Sequence, residues 1–233
     1  MSTLREILGN SQYWGLTLSI AAYLFACWLK QKTKLAFLNP ILVSVIVIIA
    51  FLLGVGIDYD TYNKGASYLS WLLTPATVCL AIPLYKQLHL LKKHGAAVAV
   101  SITSGVATSA VSIFLMCRVL GLSHTHYVTL LPKSITTAIG MGVSEEAGGI
   151  VTLTVISIII TGVLGSVIGE IVCKLFRIQE PIAKGLALGT AAHAIGTSKA
   201  MEMGPVEGAM SSLAIAVAGL LTVVSASVFA QFM

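Results

Sequence analysis

Long apolar runs separated by short polar loops constrain this chain more than any other feature. Six such runs lie at residues 13–29, 39–57, 68–85, 95–120, 150–172 and 208–232. A helix of about 20 residues crosses a hydrocarbon core of roughly 30 Å, and these runs are close to that length or longer. Only 10% of the 233 residues are charged, against roughly 25% in an average soluble domain. The pattern predicts an all-α integral membrane protein of one domain.

The basic residues are concentrated in three short loops. Residues 30–34, 86–93 and 174–184 hold nine of the fourteen Lys and Arg residues. Cytoplasmic loops carry such an excess of positive charge, so we expect all three loops in the cytoplasm and both termini outside. The net charge of +5 is thus a topology signal, and no nucleic-acid partner is expected. The four scattered cysteines have no metal-site spacing, so neither a metal nor another cofactor is expected.

Two polar, glycine-rich stretches interrupt the apolar pattern at residues 131–149 and 186–206. A shift of 56 positions places Ala138-Ile139-Gly140 on Ala194-Ile195-Gly196 and Gly148 on Gly204. The third basic loop returns to the side of the first two only if residues 131–149 do not cross the membrane, so this stretch is expected to be a re-entrant hairpin. The same reasoning applied to residues 186–206 predicts a second re-entrant hairpin. The sequence therefore predicts six full transmembrane helices plus two re-entrant hairpins that enter from opposite sides and form an inverted repeat. An ordinary eight-span protein is the alternative.

The two stretches carry the side chains expected to bind a ligand. Broken helices present free backbone N–H groups and positive dipole ends, which bind anions. Lys133 adds a cation, and an intramembrane lysine is costly enough to indicate function; its alternative is a lysine that reaches to the interface. The predicted substrate-binding set is Lys133, Ser134, Thr136, Thr137, Thr190, His193, Gly196, Thr197 and Ser198.

Three residues are candidates for carrying a coupling proton. His193 lies deep in the second stretch and titrates near neutral pH, although a buried histidine can equally be structural. Glu146 and Glu202 occupy equivalent positions of the repeat; we favour capping of the glycine-rich turns for both. No catalytic triad, phosphate-binding loop or metal-binding spacing is recognisable, so the protein is not expected to be an enzyme.

Several motifs resemble the LrgB/CidB family of membrane proteins. They are LNP at 38–40, PKSITT at 132–137, GLALGTAAHAIGT at 185–197 and GAMSSLA at 208–214. The resemblance covers nearly the whole chain. One departure is Ala138, where the family usually has a second proline after the threonine pair, which softens the expected bend.

The resemblance implies a bacterial cytoplasmic membrane protein of divided function. Some members are antiholin-like modulators of murein hydrolase export or activity, and hence of autolysis. Others, including plastid relatives, are similar to carriers of glycolate, glycerate or pyruvate. Bacterial members are commonly paired with a small membrane protein of the LrgA/CidA type, which is therefore an expected partner.

Converging anion donors favour a carrier of small organic monocarboxylates over an antiholin-like modulator. The expected mechanism is elevator-type, with residues 95–233 as the transport unit and residues 1–94 as the scaffold. A fixed scaffold predicts a homodimer through residues 39–57. Lys133 and His193 are expected to face one ligand carboxylate near the midplane.

Overall fold

The computed structural model describes residues 11, 13–33, 40–72, 75, 78–79 and 81–233. The chain divides into two compact units, Met1–Cys79 and Leu80–Met233. Every regular element of the described residues is helical, which confirms the predicted all-α class.

The first unit contains four described helices. They are α1 (Trp14–Thr33), α2 (Pro40–Val55), α3 (Tyr59–Ala66) and α4 (Tyr68–Trp71). Helix α1 packs against α2 and α3, and Ser19 Oγ lies 2.7 Å from the Tyr62 hydroxyl. Asp58 caps α3, since its carboxylate accepts a hydrogen bond from the Thr61 amide at 2.9 Å. Asn39 and most of residues 73–80, within the predicted runs 39–57 and 68–85, lie outside the described residues.

The described residues of the second unit form seven α-helices and a short 3₁₀ helix, Ala230–Phe232. The helices are α5 (Ala81–Lys86), α6 (Leu88–Val119), α7 (His124–Leu130), α8 (Thr137–Glu146), α9 (Val151–Leu175), α10 (Pro181–Met203) and α11 (Pro205–Phe229). Proline stands at the start of α10 and α11, where no backbone donor is needed. In the described residues, Lys92–Val119, Val151–Leu175 and Pro205–Phe232 are long and apolar enough to span a membrane.

Helix α10 reverses direction in its middle. Ala192 (φ −127°, ψ 16°) and His193 (φ 42°, ψ −135°) leave the helical conformation. In a straight helix residues 188 and 196 would be about 12 Å apart along the axis, yet a Cβ on Gly196 would lie 2.6 Å from the Leu188 carbonyl oxygen. The limb before Ala192 and the limb after His193 therefore run side by side.

The chain reverses in the same way between α7 and α8. A Cβ on Gly140 would lie 3.4 Å from the Pro132 carbonyl oxygen. These residues are also eight positions apart, and both lie 56 positions before Gly196 and Leu188. The close approach thus recurs at the spacing that relates the two stretches in the sequence.

The first reversal (residues 131–149) and the second reversal (residues 186–206) start from opposite ends of α11. The Tyr127 hydroxyl, at the base of the first reversal, donates to the Phe229 carbonyl at 2.9 Å. Met201, at the base of the second, packs on Gly208 at the other end of α11.

Isoleucines at equivalent positions of the two reversals pack on glycines of different helices. Ile139 of the first reversal packs on Gly219 of α11, and Ile195 of the second packs on Gly162 of α9. Each reversal thus contacts the helix that follows the other reversal.

Candidate functional site

A cavity of about 500 Å³ lies between α6, the first reversal and the first limb of α10. Both reversals contribute to its wall, as do several small residues of α6. Its lining residues are Ser101, Ser104, Gly105, Thr108, Ser109, Ser112, Lys133, Ser134, Ala183, Leu186, Ala187, Thr190 and Ala191. Three of the predicted site residues, Lys133, Ser134 and Thr190, are therefore brought together at one cavity.

Lys133 is the one ionisable residue among these described lining residues. Its ammonium donates a hydrogen bond to Ser134 Oγ at 2.9 Å, and Ser134 Oγ lies 3.3 Å from Ser109 Oγ. No carboxylate of the lining neutralises this cation. A lone ammonium in apolar surroundings favours the binding of an anion, because the anion offsets the cost of removing the charge from water.

Helix α6 presents a row of hydroxyl groups to the cavity. Ser101, Ser104, Thr108 and Ser112 recur at intervals of three and four residues, which places them on one face of a helix. None of them was among the predicted site residues. The periodic hydroxyls were visible in the sequence, but serine and threonine are also common where helices pack closely in membranes.

Thr190 connects the second reversal to this face of α6. Its methyl group occupies the space beside Gly105, where an added Cβ would lie 2.7 Å from Thr190 Cγ2. The residue is 8% exposed, and its Oγ1 has no hydrogen-bond partner among the described residues. A buried hydroxyl without a partner is costly, so this oxygen is suited to bind a ligand or a water molecule.

His193 is not among the described residues that line the cavity. Its Nε2 lies 3.0 Å from the Ile158 carbonyl; since a carbonyl only accepts, Nε2 donates. The side chain is buried against α9, beside Gly162. Thr197 Oγ1 donates to the His193 carbonyl at 3.0 Å and lies 2.6 Å from Ser211 Oγ. These contacts support the chain reversal, whereas a ligand shared by Lys133 and His193 stays a prediction.

The remaining predicted binding residues lie near the reversals without lining the cavity. Thr136 directly precedes α8 and makes no capping hydrogen bond with its side chain, and Thr137 is the first residue of α8. Gly196 lets the two limbs of α10 approach each other. Ser198 is exposed, and its hydroxyl donates to the Ala194 carbonyl at 3.3 Å.

The two glutamates lie away from the cavity. Glu146 is exposed at the end of α8. Glu202 pairs with Lys199 at 3.6 Å, and Lys199 also pairs with Glu170 of α9 at 3.0 Å.

These ion pairs belong to a second cavity, of about 520 Å³, where both ends of α10 meet the end of α9. Its lining residues are Glu170, Cys173, Lys174, Arg177, Ile178, Gln179, Lys184, Lys199, Glu202, Met203 and Glu207. Among the described residues, no group of three His, Cys, Asp or Glu side chains could hold a metal ion.

Comparison with known proteins identifies the family. The sequence model of the LrgB-like family matches residues 19–232 of this chain. The chain belongs to the LrgB-like family. This LrgB-like protein is 39% identical over 222 residues to the antiholin-like protein LrgB of Bacillus subtilis (strain 168), a match that covers 95% of this chain and 96% of that relative.

A second group of relatives carries a different name. The holin-like protein CidB of Staphylococcus aureus (strain Mu50 / ATCC 700699) is 43% identical over 211 residues, covering 91% of this chain and 90% of that relative. No solved structure matches this LrgB-like protein. The family resemblance read from the sequence is confirmed, and neither name denotes an enzyme.

Proposed function

We propose that this LrgB-like protein is a membrane carrier of small organic monocarboxylates. The observation that carries the proposal is the lone Lys133 ammonium in a hydroxyl-lined cavity bounded by both chain reversals. A carboxylate accepts hydrogen bonds from an ammonium and from hydroxyl groups. The cavity supplies both kinds of donor and is otherwise lined by small apolar groups, as small-ligand sites usually are.

The proposed membrane arrangement has six full spans and two re-entrant hairpins. Two observations support it: both ends of α10 border one charged cavity, and the two reversals start from opposite ends of α11. If α11 crosses the bilayer, the reversals enter from opposite faces and meet at the proposed substrate site. Broken segments of inverted repeats form substrate sites in this way in other transporters.

The proposed mechanism includes a moving unit and a fixed one. All the residues that line the cavity lie within residues 95–233, the proposed transport unit, which would carry the substrate in an elevator-type movement against residues 1–94. Pairing of two copies through residues 39–57 would hold the scaffold fixed. A small LrgA/CidA-type protein remains the proposed membrane partner.

Uptake into liposomes tests the carrier function. The purified protein is reconstituted, and saturable uptake of labelled glycolate, glycerate or pyruvate is expected. Lys133→Ala removes a charge-assisted contact worth ~1.5–3 kcal/mol, so the substrate concentration at half-maximal uptake should rise roughly tenfold or more. Lys133→Arg should rescue only part of this loss, because a planar guanidinium replaces a compact ammonium.

A matched lysine provides the control. Lys93 is exposed on α6 and is not among the described lining residues, so Lys93→Ala should keep wild-type kinetics. Wild-type kinetics in Lys133→Ala would remove this cavity from the transport site, even if the protein transports.

The names of the relatives, antiholin-like and holin-like, favour a second function at holin-like pores. The family resemblance in the sequence adds to this the modulation of murein hydrolase export or activity. Under that hypothesis, one of two results is expected. Either liposomes that contain the protein and its partner take up no more labelled monocarboxylate than empty liposomes, or the protein causes a non-saturable leak of both the monocarboxylate and an unrelated dye. Saturable, dye-impermeable uptake would favour the carrier.

A further inference from the structure

Behind the main cavity lies a small inner chamber that shares three of its residues. It has a volume of about 10 Å³ and is lined by Val106, Ser109, Ala110, Leu131, Ser134, Thr190, Thr222 and Ser225. That volume is close to what the centre of one water molecule needs. We propose that the inner chamber binds one ordered water molecule through a hydrogen bond with Thr190 Oγ1. This water molecule joins the two chain reversals to α11.

The buried hydroxyl of Thr190 is the first argument for this water. Thr190 is more than nine-tenths buried, and its Oγ1 lacks a protein partner among the described residues. The Oγ1 atom itself is buried, and Thr190 is one of the residues that line the chamber. Buried polar groups in native proteins nearly always have a partner, which is often an ordered water.

The other lining hydroxyls supply enough partners for such a water, which typically makes about three hydrogen bonds. Ser134 Oγ accepts from Lys133 and also forms a hydrogen bond with Ser109 Oγ at 3.3 Å, in which either hydroxyl can donate. When Ser109 donates in that bond, the Ser134 proton is free to donate to the water. Ser225 Oγ donates to the Thr222 carbonyl at 3.3 Å, so its lone pairs remain free to accept.

The charge around the chamber favours water over a sodium ion. The lining contains hydroxyls but no carboxylate. The Lys133 ammonium lies 2.9 Å from Ser134 Oγ, so a cation in the chamber would be close to a like charge. Repulsion between nearby like charges is strong in surroundings of low dielectric constant, whereas a neutral water molecule avoids it.

The water has a structural consequence, because its partners come from four places in the chain. Ser109 belongs to α6, Ser134 to the first reversal, Thr190 to the second and Ser225 to α11. One molecule thus connects the two reversals where they meet. This role does not depend on the proposed transport function.

The direction in which one substitution changes the melting temperature tests the proposal. Thr190→Val keeps the shape of the side chain and removes the hydroxyl. If the water is bound, the variant loses a hydrogen bond of the water and its melting temperature in detergent should fall by about 2–4 °C. If Thr190 Oγ1 has no partner, the same variant removes an unpaired buried hydroxyl and should melt at the same or a higher temperature, which overturns the proposal.

Three further measurements complete the test. Thr190→Ser keeps the hydroxyl but loses the methyl group that lies beside Gly105, so it should recover part of the melting temperature that Thr190→Val loses. The exposed Thr103→Val variant is the threonine-to-valine control and should show no fall in melting temperature. The melting temperature of the wild-type protein should be the same in sodium chloride and in choline chloride. A stabilisation by sodium that disappears in Thr190→Val would indicate that the chamber binds a cation and not a water molecule, which overturns the proposal. A high-resolution map of the wild-type protein should contain a density peak within hydrogen-bond distance of Thr190 Oγ1, and its absence would overturn the proposal even if the variants fail to fold.

Discussion

Replacing His193 by alanine and by glycine measures the backbone strain at the reversal in α10. His193 has φ 42° and ψ −135°, close to the first central position of a type II′ turn, which glycine favours. Both variants lose the imidazole and its hydrogen bond to Ile158. The difference between them therefore depends mainly on the backbone.

Two opposing effects set the size of that difference. A residue with a Cβ in such a conformation costs about 1–3 kcal/mol, and glycine removes this cost. Glycine also loses more conformational freedom on folding, which costs roughly 0.5–1 kcal/mol relative to alanine. The balance favours His193→Gly over His193→Ala by about 1 kcal/mol, or about 2–4 °C in melting temperature for a chain of this size.

The assay compares the folded fraction of both purified variants after heating in detergent, by size-exclusion chromatography. Ala183, an exposed position in the first limb of α10, provides the control: Ala183→Gly should lower stability, as glycine normally does in a helix. If His193→Gly is instead less stable than His193→Ala by a similar amount, position 193 is ordinary helix and the reversal is refuted.

Two further predictions concern packing and pH. Gly196→Ala places a Cβ 2.6 Å from the Leu188 carbonyl oxygen, so overpacking should lower the free energy of unfolding by about 1–3 kcal/mol. In Gly142→Ala the new Cβ meets nothing within 4 Å, so this control should raise the free energy of unfolding by up to about 1 kcal/mol. Equal changes in melting temperature in the two variants would contradict the close approach of the limbs of α10. Hydrogen bonds from the backbone and side chain of Thr61 lower the pKa of Asp58 below its usual value of 3.8, so its stabilisation of α3 is present above that value and lost as the pH falls through the lower folded-state pKa. Amide exchange at Thr61, corrected for intrinsic rate, should accelerate as the Asp58 carboxylate is protonated; the Asp58→Asn variant should show no such step.

Local signals in the sequence were sufficient for the helical class and for the regions of chain reversal. Apolar runs predict helices long enough for a membrane, and the close approaches at Gly140 and Gly196 fall in the two stretches that glycine and polar residues distinguish. A close backbone contact requires a residue without a Cβ at the point of contact, so the sequence itself marks that position with a glycine. Three of the predicted binding residues, Lys133, Ser134 and Thr190, line one cavity, and each is a polar group in an apolar stretch of sequence; their role in binding stays a prediction.

The partner of each side chain was beyond local reasoning. The contact of His193 with Ile158 joins residues 35 positions apart, and its direction depends on how α9 packs against α10. The hydroxyl face of α6 had a visible period, but its exposure to a cavity depends on Thr190, more than 80 positions away from Ser104. Tertiary packing decides such pairings, so spacing along the chain does not predict them.

Each reversal contacts the helix that follows the other reversal, and this arrangement has a consequence for biosynthesis. The first reversal needs Gly219 for Ile139 and the Phe229 carbonyl for Tyr127, and His124 Nδ1 lies 2.7 Å from the carbonyl oxygen of Met233. When residues 131–149 leave the ribosome, these partners have not yet been translated. Domains usually fold from the N-terminus during synthesis, but here the earlier segment must wait in the membrane for the last helix. The first reversal to be synthesised is the last to be completed.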